Sequence, residues 1–270
     1  MNKKFLSVPF IFWSALFIIV PLVMVFYYGL TDKTGAFTLE NIMAISSPEH
    51  SKALWEAVKL SVLSTALCLL LAYPLAMILA QKGSSKTSFM VLIFILPMWM
   101  NFLLRTFAWL TLLEKTGIIN TLLKMLGLPT LDIINTPSAI VLGMVYNFLP
   151  FMVLPIYNVL VKIDKNVINA ARDLGANSIQ TFIKITLPLS VPGIISGISM
   201  VFVPALTTFI ISKILGGSKI LLIGNVIEQE FTMTGNWNLG SGLSIVLMLF
   251  IIFNMVITAV TDKDGEGSML

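Results

Sequence analysis

The stretch Asn169-Ala-Ala-Arg-Asp-Leu-Gly-Ala-Asn-Ser-Ile-Gln-Thr-Phe-Ile-Lys-Ile-Thr-Leu-Pro-Leu-Ser-Val-Pro-Gly193 is a polar interruption between two long apolar runs. It reads as two short helices joined at a glycine. Asp164 or Asn166 can cap the first, whose apolar positions Val167, Ile168, Ala171 and Leu174 fall at helical spacing. Gly175 suits the left-handed residue that ends a helix. The second helix fits Ser178 to Leu187, with Ile179, Phe182 and Ile183 on one face. Pro188 is expected to stop it, and Pro192 to sit near the first turn of the next apolar run. Ala170 and Ala171 leave a low surface that another protein could approach closely. A helix–glycine–helix element with a small-residue face, placed on a loop between spans, is a docking device.

Working outward, the apolar runs on either side exceed the roughly 18 residues that a bilayer-crossing helix needs. With 57% hydrophobic and 11% charged residues and a mean hydropathy of +0.95, the chain is a membrane protein. Spans are expected at about Ser7–Leu30, Leu54–Ala80, Ser88–Leu113, Pro137–Val161, Pro192–Leu215 (interrupted by Pro204) and Gly240–Val260. The first is too long for a signal-peptide core and has no small-x-small site, so it is expected to stay uncleaved. Gly117 to Leu128 reads as a short amphipathic surface helix, and Gly216 to Trp237 as a loop. The basic residues behind the net charge of +4 are scattered over loops, which excludes a nucleic-acid face. Cys68 is the only cysteine and lies inside an apolar run, so neither a disulfide framework nor a metal site is available.

Orientation follows from lysine and arginine. With the N-terminus inside, nine of these residues are cytoplasmic and seven lie outside on longer loops, while eight of thirteen acids fall outside. Both termini and the docking loop are therefore expected in the cytoplasm. No phosphate-binding loop, zinc motif, nucleophile elbow or intramembrane acid pair occurs, so the chain is expected to be non-catalytic, with any energy source acting through a partner. The absence of an acid well inside a span also implies no strong internal cation trap, and counts against an ion-coupled secondary transporter.

Trp99, Asn101, Arg105, Phe148 and Phe209 are candidate pathway or gate residues. Asn101 and Arg105 stand at i and i+4 on one helix face. Arg105 falls roughly 24 Å along a span of about 30 Å. It reads either as a gate facing the bundle or as an interfacial anchor beside Trp109. Prolines at 74, 97, 150, 155 and 204 free backbone groups that a pathway can use. Glu228, Glu230 and Trp237, in the last outer loop, form a candidate recognition surface.

The docking stretch resembles the coupling loop of binding-protein-dependent ABC importer permeases: Glu-Ala-Ala, three residues, Gly, nine residues, an apolar residue, one more, then Leu-Pro. Ala170, Ala171, Gly175, Ile185, Leu187 and Pro188 match in register, with Arg172, Asp173 and Ala176 between them, and Asn169 stands where the motif has Glu. Leu96 to Trp109, Gly117 to Asn120, Ala170 to Ala176 and Leu215 to Asn225 are similar to spermidine/putrescine importer permeases, in particular the first of their two permease subunits. The resemblance covers about Ser7 to Val260. It implies an all-α, type I ABC importer permease fold with six transmembrane helices in a bacterial inner membrane. Residues 1–53 would be the first span and outer loop, 54–260 the transmembrane domain with coupling loop 162–191, and 261–270 a cytoplasmic tail. It also implies a second permease subunit, two cytoplasmic ATPase copies that bind ATP-Mg, and an extracytoplasmic polyamine-binding protein. Permeases for an organic anion, thiamine or iron share the coupling loop and remain the alternative.

Overall fold

The structure is a computed structural model that describes residues 8–81, 96–217 and 219–267. Helix α1 comprises Val8–Ser14, a π turn at Ala15–Ile19, and Val20–Gly29. After the short α2, Glu40–Met43, come α3, Pro48–Gln81, and α4, Phe102–Leu113. The amphipathic α5, Ile118–Met125, leads to α6, Pro137–Leu160. Then follow α7, Lys165–Asp173, and a long α8 made of Ser178–Thr181, a π turn at Phe182–Thr186, and Leu187–Thr207. The chain closes with α9, Ile210–Leu215, α10, Ile223–Gln229, and α11, Trp237–Gly267. Five helices among the described residues are long and apolar enough to cross a membrane. Of the expected third span, the part before Leu96 lies outside the described residues.

The core is a three-helix unit of α3, α6 and α8, with α11 against α8 and α1 laid on α11. Lipid is as apolar as leucine, so close approach has to come from small residues. On α3 the buried face is Ala57, Ser61, Ser64, Cys68, Ala72 and Ala76, recurring every three or four positions. On α8 it is Gly193 and Gly197: a Cβ on Gly193 would lie 2.9 Å from the Pro155 carbonyl oxygen. Polar groups inside this unit bond locally or across helices, except Asn147, which donates Nδ2 to the Gly143 carbonyl while its Oδ1 has no partner among the described residues. Ser61 and Thr65 each donate to the carbonyl four residues back, and the Tyr73 and Ser190 hydroxyls pair at 2.8 Å across α3 and α8. At the far end Asn238 Nδ2 donates to the carbonyls of Tyr28 and Thr31, which fastens α11 to the end of α1.

Four expectations change. Pro188 does not stop a helix: Ser178–Thr207 is one continuous run. Proline lacks the N–H that would bond four residues back, and its ring crowds that carbonyl, but the π turn directly before it opens the coil and absorbs both defects. The interruption also falls at Thr208 and Phe209 instead of Pro204, which lies inside the helix. The last outer loop holds a packed helix, α10, with Leu222 to Asn225 buried. Finally, α3 begins at Pro48, inside the segment assigned to the outer loop, and α11 continues past Val260.

Candidate functional site: the coupling loop and the outer hinge

The coupling loop is built from caps. Asp164 Oδ1 accepts the Asn166 amide at 2.9 Å and starts α7. Beyond Leu174, Gly175 adopts φ +87°, its amide donates to the Arg172 carbonyl, and the Ala176 amide reaches back to Ala171. This pair of bonds is a Schellman closure, which needs the left-handed residue at its centre. Two residues on, the Asn177 and Gln180 side chains each accept the other's backbone amide, a reciprocal capping box that opens α8. The angle between α7 and α8 is thus fixed by backbone hydrogen bonds.

Ala171 turns inward, while Asn169, Ala170, Arg172 and Asp173 face out. Ile185 and Leu187 are half-buried in and after the π turn, Ala176 is half-buried, and Pro188 is exposed. Of the apolar residues grouped on one face by periodicity, Leu174 is 89% exposed and Val167 also faces outward. Ile179 and Ile183 join them from α8. Four apolar side chains are thus bared around the corner. A cavity of about 400 Å3 lies beneath α7, against the ends of α3, α6 and α8.

At the opposite end, the break at Thr208 and Phe209 is repaired by Asn225, a residue the sequence reading left without a role. Its Oδ1 accepts the Ser212 hydroxyl and the Leu222 amide, and its Nδ2 donates to the Phe209 carbonyl at 2.9 Å. Asparagine three positions after the start of α10 was the available signal, but its partners across the break lie more than ten residues back. Glu228, the next turn of α10, faces a cavity of about 520 Å3 lined also by Phe209, Phe231 and apolar residues of α11. Its carboxylate pairs with Lys213 Nζ at 3.1 Å, with the glutamate side chain 19% exposed and the lysine 45%. Glu230 is half-buried and accepts the Thr234 hydroxyl. Trp237 is exposed on one side and packs on Phe231 and Tyr28 with the other. Nearby, the Thr34 hydroxyl and then the Thr34 amide hold the Asp32 carboxyl below its ordinary value, which fixes the turn after α1.

The remaining pathway candidates separate. Asn101 caps α4, accepting the Leu103 and Leu104 amides. Arg105, one turn on, is 7% exposed, and neither its Nε nor its Nη1 has a hydrogen-bond partner among the described residues. Trp99 is 77% exposed, whereas Phe148 is packed in the core. Phe209 alone of the five lines the outer cavity.

The model of the binding-protein-dependent transport system inner membrane component family matches residues 72–263. The spermidine/putrescine transport system permease protein PotB of Haemophilus influenzae is 37% identical over 267 residues, covering 94% of this chain and 93% of the relative. PotB of Escherichia coli K12 is 37% identical over 245 residues, covering 88% and 89%. In fold, the chain is similar to a subunit of a bacterial alginate ABC transporter, at TM-score 0.78 and 17% identity over 96% of this chain and 94% of that one. A chain of the MetNI methionine transporter gives 0.57 and 16%, over 82% and 99%. A docking corner between spans, an all-helical bundle and a match over most of the length lead to one assignment. The chain belongs to the binding-protein-dependent transport inner-membrane components, the permease subunits of ABC importers, and is a multi-pass protein of a bacterial inner membrane.

Proposed function

We propose that this chain forms half of the translocation pathway of an ATP-driven polyamine importer. The observation that carries the reading is 37% identity, sustained over 94% of the chain, to a permease named for spermidine and putrescine. In this reading the chain has no catalytic role. A second permease subunit completes the pathway, two copies of a cytoplasmic ATPase bind ATP-Mg, and an extracytoplasmic protein delivers the polyamine. Both termini and residues 162–191 face the cytoplasm. Val167, Leu174, Ile179 and Ile183 insert into the ATPase while Ala170 lets the two backbones approach. Asn169 extends from the same face without a side-chain hydrogen bond of its own among the described residues. Glu228, Glu230 and Trp237 border the surface that contacts the binding protein at the outer end.

The test is labelled-polyamine uptake in cells with and without this gene, followed by competition on the reconstituted assembly. Unlabelled spermidine or putrescine should suppress uptake, and an organic anion or thiamine should not. Robust transport of an anion without polyamine uptake would refute the proposal.

A further inference from the structure

We propose that Glu228 is a cargo-ammonium site within the permease itself, held by the Lys213 ammonium when no cargo is present. This rests on the polyamine reading above and assigns that cargo a place in the transmembrane subunit.

The carboxylate borders an open, largely apolar groove of about 520 Å3. Its walls carry the chemistry of an alkylpolyamine in sequence. Glu228 matches an ammonium, Leu247, Met248 and Ile251 match the methylenes between ammonium groups, and Phe209 and Phe231 add aromatic lining. The carboxylate already accepts an alkylammonium: Lys213 Nζ lies 3.1 and 3.3 Å from its two oxygens. A primary amine at the end of a polyamine is the same chemical group as the lysine terminus, so cargo and Lys213 compete for one acceptor.

The two partners are unequally placed. The Glu228 side chain is mostly enclosed, whereas Lys213 is nearly half exposed. Lysine loses little by swinging back into water on its flexible stem, while the enclosed carboxylate requires a replacement cation. Exchange also lets the site release what it binds, because the returning Lys213 displaces the cargo. An anionic solute meets an enclosed carboxylate and is disfavoured. The helix break at Phe209, pinned by Asn225, sets α9 and therefore Lys213 opposite α10.

The experiment uses the complete assembly in proteoliposomes with saturating loaded binding protein, and reads polyamine molecules imported per ATP hydrolysed. Glu228→Gln should lower that ratio about tenfold, the worth of one charge-assisted hydrogen bond. Lys213→Met, which leaves the carboxylate without its resident cation, should increase labelled polyamine retained on the solubilised assembly after the binding protein is removed. The exchanged double variant, Lys213→Glu with Glu228→Lys, keeps an ion pair but puts a cation on the cavity wall, and should stay impaired. Wild-type coupling in the exchanged variant would reduce the pair to a tether and overturn the site, as would an unchanged ratio in Glu228→Gln. Either result leaves the polyamine function standing if the wild-type assembly imports polyamine. Import of another solute alone by the wild type would overturn the function and the site together.

Discussion

Gly175 concentrates the physics of the coupling loop in one residue. At φ +87° an L-side chain is strained even though a Cβ there would meet no neighbour within 4 Å. The strain is therefore conformational and not steric, of the order of 1–2 kcal/mol, and β-branching sharpens it. Gly175→Val is expected to insert into the membrane in normal amount, with loss of transport and of ATP hydrolysis stimulated by the loaded binding protein. Normal stimulation would show that the corner does not transmit force. Arg105 presents the opposite case, a residue whose burial was not visible in its position along a span. It is enclosed, with its Cζ over the Phe102 ring, 6.0 Å from the centroid.

At the scale of elements, the crossing of α6 and α8 decides how the bundle closes. Gly193 lies on the Pro155 carbonyl and the Ile156 backbone beside the Val159 side chain, and Gly197 lies on the Met152 backbone and thioether, so the two helices approach closely. Gly193→Val would push a Cβ toward the Pro155 carbonyl oxygen, and neither helix can yield there without separating. The expected cost is about 1–3 kcal/mol. It should appear as a lower melting temperature of the detergent-solubilised assembly, beyond any change at a lipid-facing control such as Val62→Ala. Equal melting of the two variants would mean the helices are not in contact there. The π turn at Phe182–Thr186 works at the same scale: it carries α8 past Pro188, so the coupling corner and the transmembrane helix are one rigid rod. A displacement at the corner reaches the core through that rod.

For the whole molecule, the testable statement is its orientation. The buried Cys68 gives a low background for impermeant thiol reagents. A cysteine introduced at Asn177 should resist such a reagent applied from outside, and one at Ser47 should react. Outside labelling at Asn177 would place the coupling corner on the wrong side for an ATPase. The caps around Gly175 and the break at Phe209 lie at opposite ends of α8.

What the sequence determined by itself was the information carried over short distances. Spans follow from the length and apolarity of continuous runs, and the first half of the corner from Asp164 and Gly175, whose bonds close within six residues. α5 was legible for the same reason, since its amphipathic period is local. Only the tertiary structure decided the outer hinge. The run Gly216 to Trp237 reads as a loop because its polar residues find their partners elsewhere: Asn225 bonds across the break at Phe209, and Glu228 pairs with Lys213 fifteen residues away. Position relative to a span does not reveal that the Glu228 side chain is mostly enclosed, 19% exposed, beside Lys213. Likewise Pro188 looked like a stop because proline removes a hydrogen bond in an α-helix. The π turn at Phe182–Thr186 removes the need for that bond.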